Sequence, residues 1–135
     1  MLFATHLAAV AVAGRASRLS TAWLVVGAAI PDVIDKPLGM IGVFELYHSI
    51  GHSTLIVPIF VLLALRDPAG LAAAVGWGSH LLLDAIHVVI NGRPGHALFL
   101  AWPLAESADP LALPPGEFGR YYLGTPSFRL EILIW

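Results

Sequence analysis

The sequence predicts an all-α fold: a small integral membrane helical bundle of about four core helices with an irregular C-terminal segment. Three observations carry that prediction. Apolar residues make up 58% of the 135-residue chain, and the mean hydropathy is +0.81. Charged residues make up only 12%, about half of the ~25% usual in soluble domains. The apolar residues gather into runs bounded by Gly, Pro and short polar connections, with only a weak strand-like alternation over 118–123. This composition excludes a disordered chain. Seven basic residues in no basic run, with a net charge of −2, argue against a nucleic-acid partner. The absence of Cys excludes disulfides, thiolate metal sites and Cys nucleophiles.

The elements follow in order. Residues 2–13 (LFATHLAAVAVA) form the first apolar run. AVA at 11–13 fits a cleavage sequence, but no basic region precedes the run, so it reads as a mature helix ending near Gly14. Ser20 or Thr21 caps a second helix that runs through Trp23 to Ile30, where Pro31 stops it. Residues 31–53 are polar, with two Pro and three Gly, and predict a loop with a short helix around 43–51. A third helix starts at Ser53 or Thr54, or earlier near Glu45, and runs through Leu65; Arg66-Asp67-Pro68 is a tight turn. The fourth run, Ala69–Ile90, reaches about 33 Å as a helix, enough to span a bilayer. Asn91 to Gly95 breaks it, and 97–105 is apolar again. The first two runs reach only about 18 Å as helices, so they extend, tilt or thin the membrane. The chain thus divides into a membrane helical domain over 1–105 and an interfacial segment over 106–135.

Up-and-down order places the connections near 14–20 and 66–69 on one side. They carry Arg15, Arg18 and Arg66, which makes that side cytoplasmic in a bacterial-type inner membrane. His6, Asp32, Asp35, His48, His52, His80, Asp84 and His87 then all fall at the opposite, non-cytoplasmic end of the bundle. His80, Asp84 and His87 are spaced i, i+4, i+7 and share one helical face.

Imidazole and carboxylate donors without sulfur suit zinc, manganese or iron(II). Two or more such ions lower the pKa of a bridging water and stabilise the charge that builds in ester or phosphoester hydrolysis. Blander readings stand beside this one. His80 with Asp84 is a metal pair or a hydrogen-bonded proton relay, with metal favoured in an apolar run. Asp32 and Asp35 are ligands or a turn and a cap. His52 is a ligand or a neighbour of a helix cap, and His6 a ligand or an interfacial residue. His48 and His87 are ligands, general acids or groups that orient ligands. His96 reads as interfacial or solvated, and Trp102-Pro103 as an interface anchor. Arg93 snorkels or holds a phosphate.

THLAAV at 5–10, GAAIPDVID at 27–35, GHS at 51–53, SHLLLD at 79–84 and WPL at 102–104 occur in that order. This string resembles the YdjM-like family of inner-membrane metal-dependent hydrolases over roughly residues 1–105, and more distantly the zinc-dependent phospholipase C superfamily. The resemblance implies an all-helical enzyme with His6, Asp32, Asp35, His52, His80 and Asp84 as metal ligands. Tyr47, His48 and Gly51 depart from the family pattern, which has a His-Arg pair five residues before the second His and Thr in place of Gly.

The expectation is therefore a membrane-bound hydrolase acting on a phosphoester or ester bond of a lipid or lipid-like substrate. It holds two or three divalent ions, zinc or else manganese. Asp32 or Asp35 bridges the ions or serves as base, His48 or His87 donates the leaving-group proton, and Asn91 and Arg93 contact substrate. The competing readings are a metal or ion transporter using the same ligands, and a non-catalytic membrane protein with a structural metal.

Overall fold

The structure, a computed structural model, describes residues 2–107 and 112–134. The described residues contain helices and turns and no strand, so the all-α prediction holds. Helix α1 spans Phe3–Arg15, α2 Thr21–Met40, α3 Val57–Arg66 and α4 Pro68–Ile90. Two single 3-10 turns, Ile50–His52 and Thr54–Ile56, lead into α3, and a longer 3-10 segment covers Pro94–Ala101. Two short helices close the chain, α5 over Pro115–Tyr122 and α6 over Pro126–Ile134.

The pair α2 and α4 forms the centre of the bundle, with α1 against α2 and α3 folded back on α4. Close approach at the central crossing depends on glycine. A Cβ on Gly27 would lie 2.0 Å from the Ala73 carbonyl oxygen, and one on Gly76 would lie 2.0 Å from that of Leu24. The two backbones touch with no room for any side chain. Around the crossing, Val10, Leu24, Ala28 and Ala72 form one apolar cluster, and Phe60, Trp77, Leu81 and Phe99 form another. The Phe60 and Trp77 rings stack with centroids 4.3 Å apart. Asp67 begins α4 by accepting the Gly70 N–H at 2.7 Å, an N-cap two residues after the last apolar residue of α3.

Three sequence expectations change. Pro31 does not stop the second helix; α2 continues through Pro31 and Pro37 to Met40. An internal proline loses one helical hydrogen bond and costs roughly 3 kcal/mol. Packing of α2 along α4, and the hydrogen bonds that Asp35 makes beyond the proline, offset that cost. The short helix expected over 43–51 is a turn followed by a single 3-10 turn. The C-terminal segment, expected to be irregular, holds α5 and α6, and the weak alternation over 118–123 falls mostly on α5.

A buried polar group fastens those two helices. Glu131, 2% exposed, accepts the Tyr122 hydroxyl and the Thr5 hydroxyl of α1. Asn91 Oδ1 accepts the Ser127 N–H at 3.1 Å, tying the end of α4 to α6. Among the described residues one helix, Pro68–Ile90, is long and apolar enough to cross a membrane.

Candidate metal centre

Four chain segments meet at one end of the bundle. His6 comes from the first turn of α1, and Asp32 and Asp35 from α2 after its first proline. His48 and His52 come from the connection into α3, and His80, Asp84 and His87 from the second half of α4. All but His48 are buried.

The histidine tautomers follow from their outer partners. His80 Nδ1 lies 2.7 Å from the Ala28 carbonyl oxygen, which can only accept, so Nδ1 carries the hydrogen. His6 Nδ1 stands 3.1 Å from the Leu2 carbonyl oxygen, with the same consequence. His52 Nδ1 donates to Asp35 Oδ2 at 2.7 Å. Each ring therefore turns Nε2 inward, and as neutral rings each presents a lone pair there. An outer acceptor that fixes the ring of a metal-binding histidine has this arrangement.

Those inward atoms stand at ligand spacing. His52 Nε2 and His80 Nε2 are 3.2 Å apart. His80 Nε2 is 3.3 Å from Asp84 Oδ2, and His6 Nε2 is 3.1 Å from Asp84 Oδ1. Two ligands bound at 2.0–2.1 Å on a tetrahedral zinc stand about 3.3 Å apart. Lone pairs facing at such distances repel unless a cation lies between them. A proton can relieve the His52–His80 pair. His6 Nε2 is buried without a well-formed hydrogen bond, 3.1 Å from Asp84 Oδ1, where a proton or a metal ion would pair the two.

Three overlapping triads emerge: His6, His80 and Asp84; Asp32, His52 and His80; His48, His52 and Asp84. Each pair of triads shares one residue, so His80, His52 and Asp84 form an inner triangle with His6, Asp32 and His48 at its edges. Asp84 turns Oδ1 toward His6 and Oδ2 toward His80, His52 and His48, the last two at 3.6 and 3.7 Å. Both of its oxygens thus stand beside candidate ligand nitrogens. The donor set fits divalent cations, and the residues that could hold them are His6, Asp32, His48, His52, His80 and Asp84.

Asp35, expected as a ligand and as a base, occupies a different position. It is fully buried, and its oxygens accept from Ser49 N (2.6 Å), Ser49 Oγ (2.9 Å), Gly51 N (2.9 Å), His52 N (3.2 Å) and His52 Nδ1. It shapes the 49–52 turn and orients His52. Burial opposes charge on His52, but its hydrogen bonds to Asp35 and Asp84 prevail and raise its pKa. Gly51 fits because a Cβ there would lie 2.8 Å from the Pro31 carbonyl oxygen. Trp77 Nε1 donates to the Gly51 carbonyl at 3.0 Å and pins the same turn.

His48 is the least buried of the set, with a side chain 31% exposed. Burial, followed by the Lys36 ammonium and His52, lowers its pKa. His87 lies at the margin, its Nδ1 4.0 Å from Asp84 Oδ1 and its ring edge-on to Tyr122. Asn91, expected at the substrate, holds α6 instead, and Arg93 lines neither of the two cavities beside the centre. His96, expected at the membrane interface or in solvent, is half-buried in the wall of the smaller cavity.

Lys36 was absent from the sequence candidates. Its Nζ lies 3.2 Å from Asp32 Oδ1 and donates to the Tyr47 carbonyl at 3.2 Å. The i, i+4 spacing from Asp32 is a signal the sequence carried, once α2 is known to continue past Pro31.

Both cavities reach the centre. The larger, about 480 Å³, is lined by Asp32, His48 and Asp84 together with residues of α1, α2 and α5. The smaller, about 70 Å³, lies on the other side of His48 and Asp84, against His87, His96 and Phe99. The chain matches no protein-family model, no curated protein and no solved structure.

Proposed function

We propose that the chain is a membrane-bound metal-dependent hydrolase that cleaves a phosphoester or ester bond of a lipid or lipid-like substrate. The observation that carries the reading is the convergence of three tautomer-fixed Nε2 atoms and the Asp84 carboxylate at ligand spacing, next to an open cavity. Structural metal sites are closed by protein ligands, whereas catalytic sites keep one position accessible. The candidate ligands Asp32 and Asp84, with His48 between the two cavities, line the large cavity, which favours catalysis over a purely structural ion. A transporter needs ligands along the membrane depth, and the three triads among the described residues all lie at one end.

Two or three divalent cations, zinc or manganese, supply an activated water and stabilise developing negative charge when bound. The chain's own groups do the rest. His6, Asp32, His52, His80 and Asp84 hold the ions, and Asp35 keeps His52 in the correct tautomer. His48, the most exposed of the set and at the cavity wall, is the group placed to pass a proton to the leaving oxygen. Exposed apolar side chains on α3 and α4, such as Leu62, Leu65 and Leu82, support a lipid environment. Arg15, Arg18 and Arg66 lie away from the His/Asp centre, so the positive-inside rule favours a non-cytoplasmic site in a bacterial-type inner membrane. The resemblance of the THLAAV, GAAIPDVID, GHS, SHLLLD and WPL segments to the YdjM-like family motivates the same reading.

Elemental analysis of detergent-purified protein tests the reading, wild type beside the His80→Ala/Asp84→Ala double variant. Two or more zinc or manganese ions per chain, lost in the double variant together with hydrolysis of a phospholipid or ester substrate, is the expected result. Stoichiometric metal is required: its absence under metal-replete conditions removes the hydrolase reading. Full loading without cleavage of any phosphoester or ester leaves a structural ion.

A further inference from the structure

We propose that the large cavity is the binding site for an anionic phosphate ester carrying an apolar chain, with Lys36 as the residue that anchors its anionic oxygen. The inference rests on the metal-dependent hydrolase reading and narrows its substrate class.

Lys36 is the only lysine in the sequence and the only Lys or Arg lining either cavity. The arginines Arg15, Arg18 and Arg66 lie on other parts of the bundle, and Arg93, Arg120 and Arg129 line neither cavity. An ammonium has three donors. Asp32 Oδ1 and the Tyr47 carbonyl take two of them, at 3.2 Å each. These two contacts hold Nζ beside a candidate metal ligand and at the edge of the cavity, with a third donor left for a ligand. Its stem is apolar, and so is the part of the cavity wall away from Asp32, His48 and Asp84, with Phe3, Val33, Pro37, Leu113 and Phe118. The volume, about 480 Å³, lies within the roughly 300–1,000 Å³ of small-molecule sites.

Charge favours an anion once metal is bound. Asp32, Asp35 and Asp84 against Lys36 leave a formal −2 in the cluster, and two divalent cations turn this to +2. An oxyanion lying against Lys36 has its ester oxygen directed to the Asp84 and His48 end and its apolar chain along Val33 and Phe118. Apart from Lys36, the polar lining of Asp32, Tyr47, His48 and Asp84 belongs to the metal-centre end, and a second polar group placed along the remaining apolar wall would lose its water without gaining a partner.

Calorimetric titration of the zinc-loaded, detergent-solubilised protein with inorganic phosphate and with hexyl phosphate tests the assignment, with bound zinc counted in every sample. Wild type is expected to bind hexyl phosphate more tightly than inorganic phosphate, and metal-free protein to bind neither. Lys36→Met should weaken both by about 10- to 100-fold, the loss of one charge-assisted hydrogen bond, at unchanged zinc. Lys36→Arg should recover most of the binding. Gly119→Trp grows into the apolar part from a position where a Cβ meets nothing within 4 Å. It should weaken hexyl phosphate and spare inorganic phosphate.

Unchanged affinity in Lys36→Met overturns the assignment. So does loss of zinc along with the anion, since Lys36 then acts through Asp32. Equal binding of the two probes, unaffected by Gly119→Trp, removes the apolar chain. The hydrolase reading fails separately: Lys36-dependent binding without turnover leaves the site and removes hydrolysis. Cleavage of a neutral ester by protein that binds no phosphate does the reverse.

Discussion

Replacing Asp35 with Asn tests whether this carboxylate binds metal or orients a histidine that does. The side chain is buried and accepts five hydrogen bonds, from Ser49, Gly51 and His52. An amide keeps the shape and turns one oxygen into a donor. With the NH2 placed at Oδ1, the Ser49 hydroxyl can rotate to accept, but the Gly51 N–H faces another N–H. With the NH2 placed at Oδ2, two backbone N–H groups and the His52 Nδ1–H lose their acceptor, so the first orientation is preferred. One buried N–H left unpaired costs about 1–3 kcal/mol. Loss of the negative charge roughly halves the remaining bonds, so Asp35→Asn should lower stability by about 2–4 kcal/mol in all. Metal affinity should fall about 10- to 100-fold, as when an outer partner of a ligand histidine is lost. The assay is competition against a chromophoric chelator, with thermal unfolding in the same detergent. His80→Ala, which removes the nitrogen shared by two triads, is the reference for losing a ligand and should release at least one ion per chain. If Asp35→Asn releases as much metal as His80→Ala, Asp35 is a ligand and the account of His52 is wrong. If neither stability nor affinity changes, the five hydrogen bonds do not act as described.

Two further perturbations probe the scaffold. Gly76→Ala puts a Cβ 2.0 Å from the Leu24 carbonyl oxygen, backbone against backbone, and should cost at least the upper part of the roughly 1–3 kcal/mol typical of overpacking. Gly78→Ala, two residues on, meets nothing within 4 Å and should hold or raise the melting temperature through helix propensity; equal melting of the two variants would contradict the α2–α4 crossing. Tyr122→Phe removes the hydroxyl that Glu131 accepts and leaves that buried carboxylate its bond from Thr5, a cost of about 1–3 kcal/mol borne by α5 and α6. Limited proteolysis over 112–134 should then accelerate while bound zinc stays constant, and unchanged cleavage would mean that Glu131 does not fasten these helices.

The amino-acid sequence by itself determined the helical class, the run over Ala69–Ile90 and its break at Asn91, and the grouping of His6, Asp32, His48, His52, His80 and Asp84 at one end of the bundle. Those features follow from composition, from helical periodicity and from the alternation of up and down helices, all of which are local or nearly so. The division of roles within the group was decided only by the tertiary structure. Asp32 and Asp35 lie three residues apart and look alike in sequence. One faces the centre and the other faces the 49–52 turn, because α2 runs through Pro31 and the backbone N–H groups of Ser49, Gly51 and His52 converge on the second carboxylate. The continuation past proline was illegible because the packing that offsets its cost comes from α4, some forty residues away in the chain. Lys36 acquired its place from the same continuation. Glu131 lies in an apolar run and carried no signal in the sequence, because its partners Tyr122 and Thr5 come from a neighbouring helix and from the far end of the chain. A buried polar group must find a partner; which partner it finds is a property of the packed fold and of no single segment.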